Sequence, residues 1–124
     1  MKRDFAVWID HRDAVIAVIA GEAESTSRLA SGIEKRVRFS EGEGGAEDQR
    51  DRRFANHLRE YYDAVISSIG DAESILILGP GEAKIELEKR LKSQGHGEQI
   101  VGVETVDKMT DHQVAAIARQ RFRS

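Results

Sequence analysis

The sequence predicts an α/β domain with a five-stranded mixed sheet in the order 3-2-1-4-5, the first three strands antiparallel, and three helices. Three observations predict it. Two β-rich apolar runs in the first twenty residues are separated only by His11-Arg12-Asp13, the pattern of a hairpin. The second half of the chain alternates helix, strand, helix, strand, helix. Its two strands are apolar and joined through a helix, which calls for right-handed parallel crossovers onto the first strand. This is a ribonuclease H-like topology, with the Trp8 segment central, the Ile16 segment antiparallel to it and the Leu76 segment parallel.

The first strand is read at 5–10 and the second at 14–20, where several β-branched residues and the following Gly21 favour a buried strand over a helix. The small-residue stretch 21–32 is read as a connection. The third strand is placed at 33–39, because Ile33, Val37 and Phe39 alternate with Glu34, Arg36 and Arg38. Residues 40–51 hold three glycines, five acidic residues and no bulky apolar one. Such a stretch buries too little surface to offset the entropy of ordering it, so it predicts a mobile loop.

The first helix is expected over 52–69, with Phe54, Leu58, Tyr61, Tyr62, Val65, Ile66 and Ile69 on its packed face. A short apolar strand follows at 74–78. Gly79-Pro80-Gly81 then turns into a helix carrying Ala83, Leu87 and Leu91, and the last strand is read at 99–105. Thr110-Asp111-His112-Gln113 forms a capping box for the final helix, with Met109 and Val114 placed as a hydrophobic staple.

Composition bounds what such a domain can do. At 124 residues it supports one core and not two. With no cysteine, thiolate metal sites, disulfides and cysteine nucleophiles are excluded. Met1-Lys2-Arg3-Asp4 leads into a short apolar run containing Asp10, which does not read as a signal peptide, and no apolar run reaches membrane-spanning length; the cytoplasm is the expected compartment. A net charge of −3 creates no global field for nucleic acid, which leaves local basic clusters to be judged one by one.

Ligand sites in such sheets gather at the carboxyl ends of the parallel strands, here Asp10-His11, Gly79-Pro80-Gly81 and Glu104-Thr105. A metal nuclease would need several converging carboxylates, and Glu104 lies two strands from Asp10, about 9–10 Å away by strand spacing. Asp10 reads better as a turn residue. No metal, cofactor or catalytic constellation is assigned, and His11, His57, His96 and His112 show no ligand spacing. Gly79, Gly81 and Lys84 form a candidate anion site, because a glycine-rich turn exposes N–H groups at a helix start. Arg50, Arg52 and Arg53 cluster at the expected start of the first helix, where positive charge opposes the helix dipole and a phosphate partner would compensate.

These elements resemble a known family. The long glycine-rich loop before a helix beginning Arg52-Arg53-Phe54-Ala55 is similar to the middle domain of the archaeal and eukaryotic class-I peptide-chain release factor. It is similar also to the Pelota-type relatives that act on stalled ribosomes, and to stand-alone bacterial proteins related to both. Ile75-Leu76-Ile77-Leu78-Gly79-Pro80-Gly81-Glu82-Ala83-Lys84, and Val101-Gly102-Val103-Glu104-Thr105 before the capped helix, carry the same likeness. In release factors the loop bears Gly-Gly-Gln, which helps water cleave peptidyl-tRNA. Here Gly44 and Gly45 match but Ala46 stands in the third place, and Gln49 comes three residues late among Glu43, Glu47 and Asp48. The resemblance therefore implies a non-catalytic translation-associated module. Ribosome or tRNA would be its partner, contacted through Arg36, Arg38, Gly44, Gly45, Arg50, Arg52 and Arg53. Two other readings stand beside it: a ligand-binding domain or enzyme using Asp10, 79–84 and Glu104, and a protein-interaction subunit or homodimer formed through the apolar first hairpin.

Overall fold

The computed structural model describes residues 2–32 and 47–123, with side chains in the second stretch described from Arg52 onward. Five strands form one sheet in the order β3-β2-β1-β4-β5. They are β1 (Asp4–Ile9), β2 (Asp13–Ala20), β3 (Ala23–Ala30), β4 (Ser74–Gly79) and β5 (Ile100–Thr105). The helices are α1 (Glu47–Ile69), α2 (Ala83–Ser93) and α3 (Asp111–Arg123), with a short 3-10 turn, Gly97–Gln99, before β5. β1 is central: Trp8 pairs with Val15 of antiparallel β2 and with Leu78 of parallel β4. The order and directions are those the sequence predicts.

Side-chain alternation divides the sheet into two dry faces. Phe5, Val7, Ile9, Ile16, Ile75 and Ile77 point to one face and pack with Tyr61, Val65 and Ile69 of α1 and Leu87 and Leu91 of α2. Ala6, Trp8, Val15, Ala17, Leu76 and Leu78 point to the other and pack with Val114 and Ala118 of α3. The capping box forms as expected: the Gln113 N–H donates to Thr110 Oγ1 at 3.2 Å, and Thr110 N–H donates to Gln113 Oε1 at 2.8 Å.

The third strand differs from expectation. β3 occupies Ala23–Ala30, the stretch read as a connection, and pairs antiparallel with β2 from Asp13↔Ala30 to Ala20↔Ala23. Gly21, at φ 63°, makes the tight turn between them. β3 lies at the sheet edge with all its residues exposed except half-buried Leu29, so its position comes from backbone pairing and leaves no hydrophobic alternation to read. Residues 33–39, with Arg36 and Arg38, lie outside the described residues, as do 40–46 of the expected loop with Gly44 and Gly45.

α1 also begins five residues earlier than expected, at Glu47. A helix start favours acidic residues, and Glu47-Asp48 supplies two. Arg52 and Arg53 consequently sit in the second turn, beyond the reach of the dipole, so the argument from dipole opposition does not hold for them.

Candidate functional site

α1 runs antiparallel to β1. Its C-terminal end leads to Ala72 and Glu73, whose N–H bonds to the Arg3 carbonyl at the amino edge of the sheet. At the other edge the Tyr61 hydroxyl donates to the Asp10 carbonyl at 2.9 Å. Leu58, nearly one turn earlier, still packs against the core, and the helix before it reaches past the carboxyl edge of the sheet, Arg53 lying roughly 12 Å along the axis from Tyr61 at 1.5 Å per residue. None of residues 52–60 is buried. Arg52 and Arg53 are exposed, and Phe54, expected on the packed face, is 38% exposed and stands edge-on to His11 at 6.4 Å between ring centres. Arg50 lies in the same helical arm.

The other sequence candidates at this edge are engaged internally. Asp10 Oδ1 accepts from the N–H groups of Arg12 at 2.8 Å and Asp13 at 2.7 Å, the Asx geometry of the β1–β2 turn. Lys84 is 8% exposed, and its ammonium donates to the Gly81 carbonyl at 2.6 Å, turned back onto the loop. Gly79 lies against β1: a Cβ there would stand 2.3 Å from the Ile9 carbonyl oxygen. Around Gly81 the space is open. Glu104 pairs with Arg121. Among the described residues no cluster of His, Asp and Glu could hold a metal ion, and no helix is long and apolar enough to cross a membrane.

Sequence reasoning missed a polar tie beneath the arm. The Tyr62 hydroxyl donates to Glu86 Oε1 of α2 at 2.5 Å, and His11 Nε2 lies 3.4 Å from the same oxygen. In the sequence Tyr61 and Tyr62 read only as members of the packed helix face, so nothing there signalled the tie. Burial pushes both phenols well above their ordinary range; nearby Asp10 and Asp13 reinforce this at Tyr61, and the Glu86 hydrogen bond at Tyr62. In the unfolded chain they ionise near pH 10. Their stabilisation is thus fully present below that pH and is progressively lost as pH rises above it toward the raised folded-state values. Urea midpoints measured from about pH 9 to pH 12 should fall steeply above the unfolded phenol's pKa, and Tyr61→Phe should remove about half of that slope.

The mixed sheet, its strand order and the helices on both faces define an α/β domain of the ribonuclease H-like class. Solved structures of other proteins contain the same fold over nearly the whole length of this chain. A Pelota protein of Thermoplasma acidophilum matches with a TM-score of 0.60 and 20% identity, covering 92% of this chain and 31% of that one. Archaeoglobus fulgidus Pelota matches at 0.59 and 16%, covering 97% and 31%. The archaeal translation termination factor aRF1 matches at 0.53 and 12%, covering 98% and 39%. The likeness is one of fold, and this chain spans little more than a third of those proteins at most. No protein-family model and no curated protein matches the sequence.

Proposed function

We propose that this chain is a translation-associated module that binds the ribosome or tRNA through the α1 arm, without performing peptide release. The carrying observation is the placement of Arg52, Arg53 and Phe54: two cations and an aromatic ring, all exposed, on a helical arm none of whose described side chains at 52–60 is buried. Arginine with an exposed ring is suited to phosphates and unpaired bases. Shared fold with domains of Pelota and an archaeal termination factor supports the reading. Ala46, where release would require glutamine, supports the non-hydrolytic part of it. Arg36, Arg38, Gly44, Gly45 and Arg50 complete the proposed contact.

The test is co-sedimentation with ribosomes, alongside tRNA binding, at low and high salt. The native chain should bind at low salt and dissociate as salt rises, because each neutralised phosphate releases counterions. Arg52→Glu combined with Arg53→Glu should weaken binding by about tenfold or more. Equal retention of this variant would remove the arm from the contact, and no binding of the native chain to either partner would end the proposal.

A further inference from the structure

α1 and α2 are tied together away from the arm. Arg90 donates twice to the Asp63 carboxylate, at 2.6 and 2.8 Å, and Gln94 donates to it at 3.1 Å. The Arg90 bonds hold the Asp63 carboxyl below the usual carboxylate range. Beyond this tie a groove of about 440 Å³ runs between the helices. Its α1 wall is a stripe at helical spacing, Ala55, Leu58, Arg59 and Tyr62, and its α2 wall carries Glu86, Lys89 and Arg90 at the same spacing.

The charges of the groove are unequally spent. Arg90 is paired with Asp63, whereas Glu86 accepts from the neutral Tyr62 hydroxyl and keeps its negative charge. Arg59 and Lys89, one from each helix, are exposed and make no ion pair among the described residues. The surface is thus apolar along Ala55 and Leu58, and these two cations outnumber the one lining carboxylate that no cation pairs at short range, Glu86, so the groove keeps a modest positive excess.

We propose that this groove docks an acidic amphipathic helix of a partner protein, with aliphatic side chains laid between α1 and α2 and carboxylates meeting Arg59 and Lys89. Helix-in-groove recognition needs an apolar trough read by anchors at successive turns; Ala55 and Leu58 of α1 supply its floor, and the aliphatic stems of Lys89 and Arg90 supply the α2 side. Charge complementarity at the rim selects acidic partners and rejects basic ones. Nucleic acid fits less well: its phosphates would satisfy the cations but leave the aliphatic trough unfilled, and Tyr62 is too buried to offer its ring face for stacking. The groove adjoins the Arg52 and Arg53 contact on the same helix, and the two readings are distinguished by which cations each needs: Arg59 and Lys89 here, Arg52 and Arg53 there.

The experiment uses fluorescence anisotropy with a labelled model helix bearing leucines on one face and glutamates elsewhere, its lysine counterpart, and labelled oligouridylate. The glutamate peptide should bind saturably, at least tenfold more tightly than the lysine peptide, and weaken with salt. Arg59→Glu with Lys89→Glu should reverse that preference, while Arg52→Glu with Arg53→Glu, further along the arm, should keep its direction and weaken it less. Ala55→Gln, which fills the trough without changing charge, should weaken the peptide severalfold. Circular dichroism melts establish that each variant is folded. No saturable peptide binding, equal binding of both peptides, or a preference unmoved by the Arg59 and Lys89 reversal would overturn the proposal. So would oligouridylate binding that depends on the same two cations and displaces the peptide.

Discussion

Gly79→Ala is expected to destabilise the protein by about 3 kcal/mol or more, whereas Gly81→Ala, two residues away, should change stability by less than about 1 kcal/mol. The added Cβ at Gly79 would meet the Ile9 carbonyl oxygen at 2.3 Å and its carbon at 3.4 Å. That oxygen belongs to backbone, and Ile9 is wholly buried and paired with Ala14. Gly79 is itself constrained, opposite Thr105 and accepting the Val106 N–H at 3.0 Å. Relief therefore requires the two central strands, β1 and β4, to part at their carboxyl ends, which costs more than shifting a flexible side chain. Overpacking of ordinary core sites costs roughly 1–3 kcal/mol, and this site should exceed that range. A domain of this length has roughly 6–19 kcal/mol of stability in all. Gly81 has nothing within 4 Å of its Cβ position and no left-handed φ, so alanine there mainly restricts the unfolded chain. Paired urea melts decide the matter: equal, small effects would mean that β1 and β4 do not approach as closely as described.

That pair of glycines also marks where sequence and structure part. In the sequence both read as one phosphate-binding turn, because a glycine gives no sign of whether it admits a ligand or a neighbouring strand. Lys84 carries the same ambiguity: its charge suggests an anion, while its side chain satisfies the Gly81 carbonyl. The central strands were legible because both faces are buried and their runs are apolar. The capping box and the Asp10 turn were legible because their bonds are local. β3 was not, since an edge strand with wet faces needs only backbone partners, and its serines, threonine and glutamate match no burial pattern. Phe54 shared the helical period of Leu58 and Tyr61, but the period continues past the end of the sheet and cannot report where the sheet stops. The α1–α2 groove was invisible for a different reason. It exists only where two helices, distant in sequence, are held by Asp63 and Arg90 and left apart beyond them.

Trp8→Ala should cost about 3–5 kcal/mol, and Trp8→Phe about 1–2 kcal/mol. Trp8 is 1% exposed in the central strand, and its indole N–H donates to the Asp107 carbonyl at 3.1 Å. It shares a cluster with Leu76, Leu78, Val114 and Ala118, with Val106 and Met109 packed around it. One side chain thus joins β1, β4, the segment after β5 and the first turns of α3. Alanine removes the contacts and leaves a cavity that rigid β1 cannot close; phenylalanine keeps most of the apolar volume but leaves the Asp107 carbonyl without its donor. The two losses separate by where they act. Trp8→Ala should lower global stability in urea melts followed by far-ultraviolet circular dichroism, since the chain's single tryptophan is gone. Trp8→Phe should speed amide exchange chiefly in residues 106–114, because the hydrogen bond holds that segment against the sheet. A cost below about 1 kcal/mol for the alanine variant would contradict a central β1. With it would go the arrangement that sends α1 past the carboxyl edge, since the position of that arm is measured from the same strand.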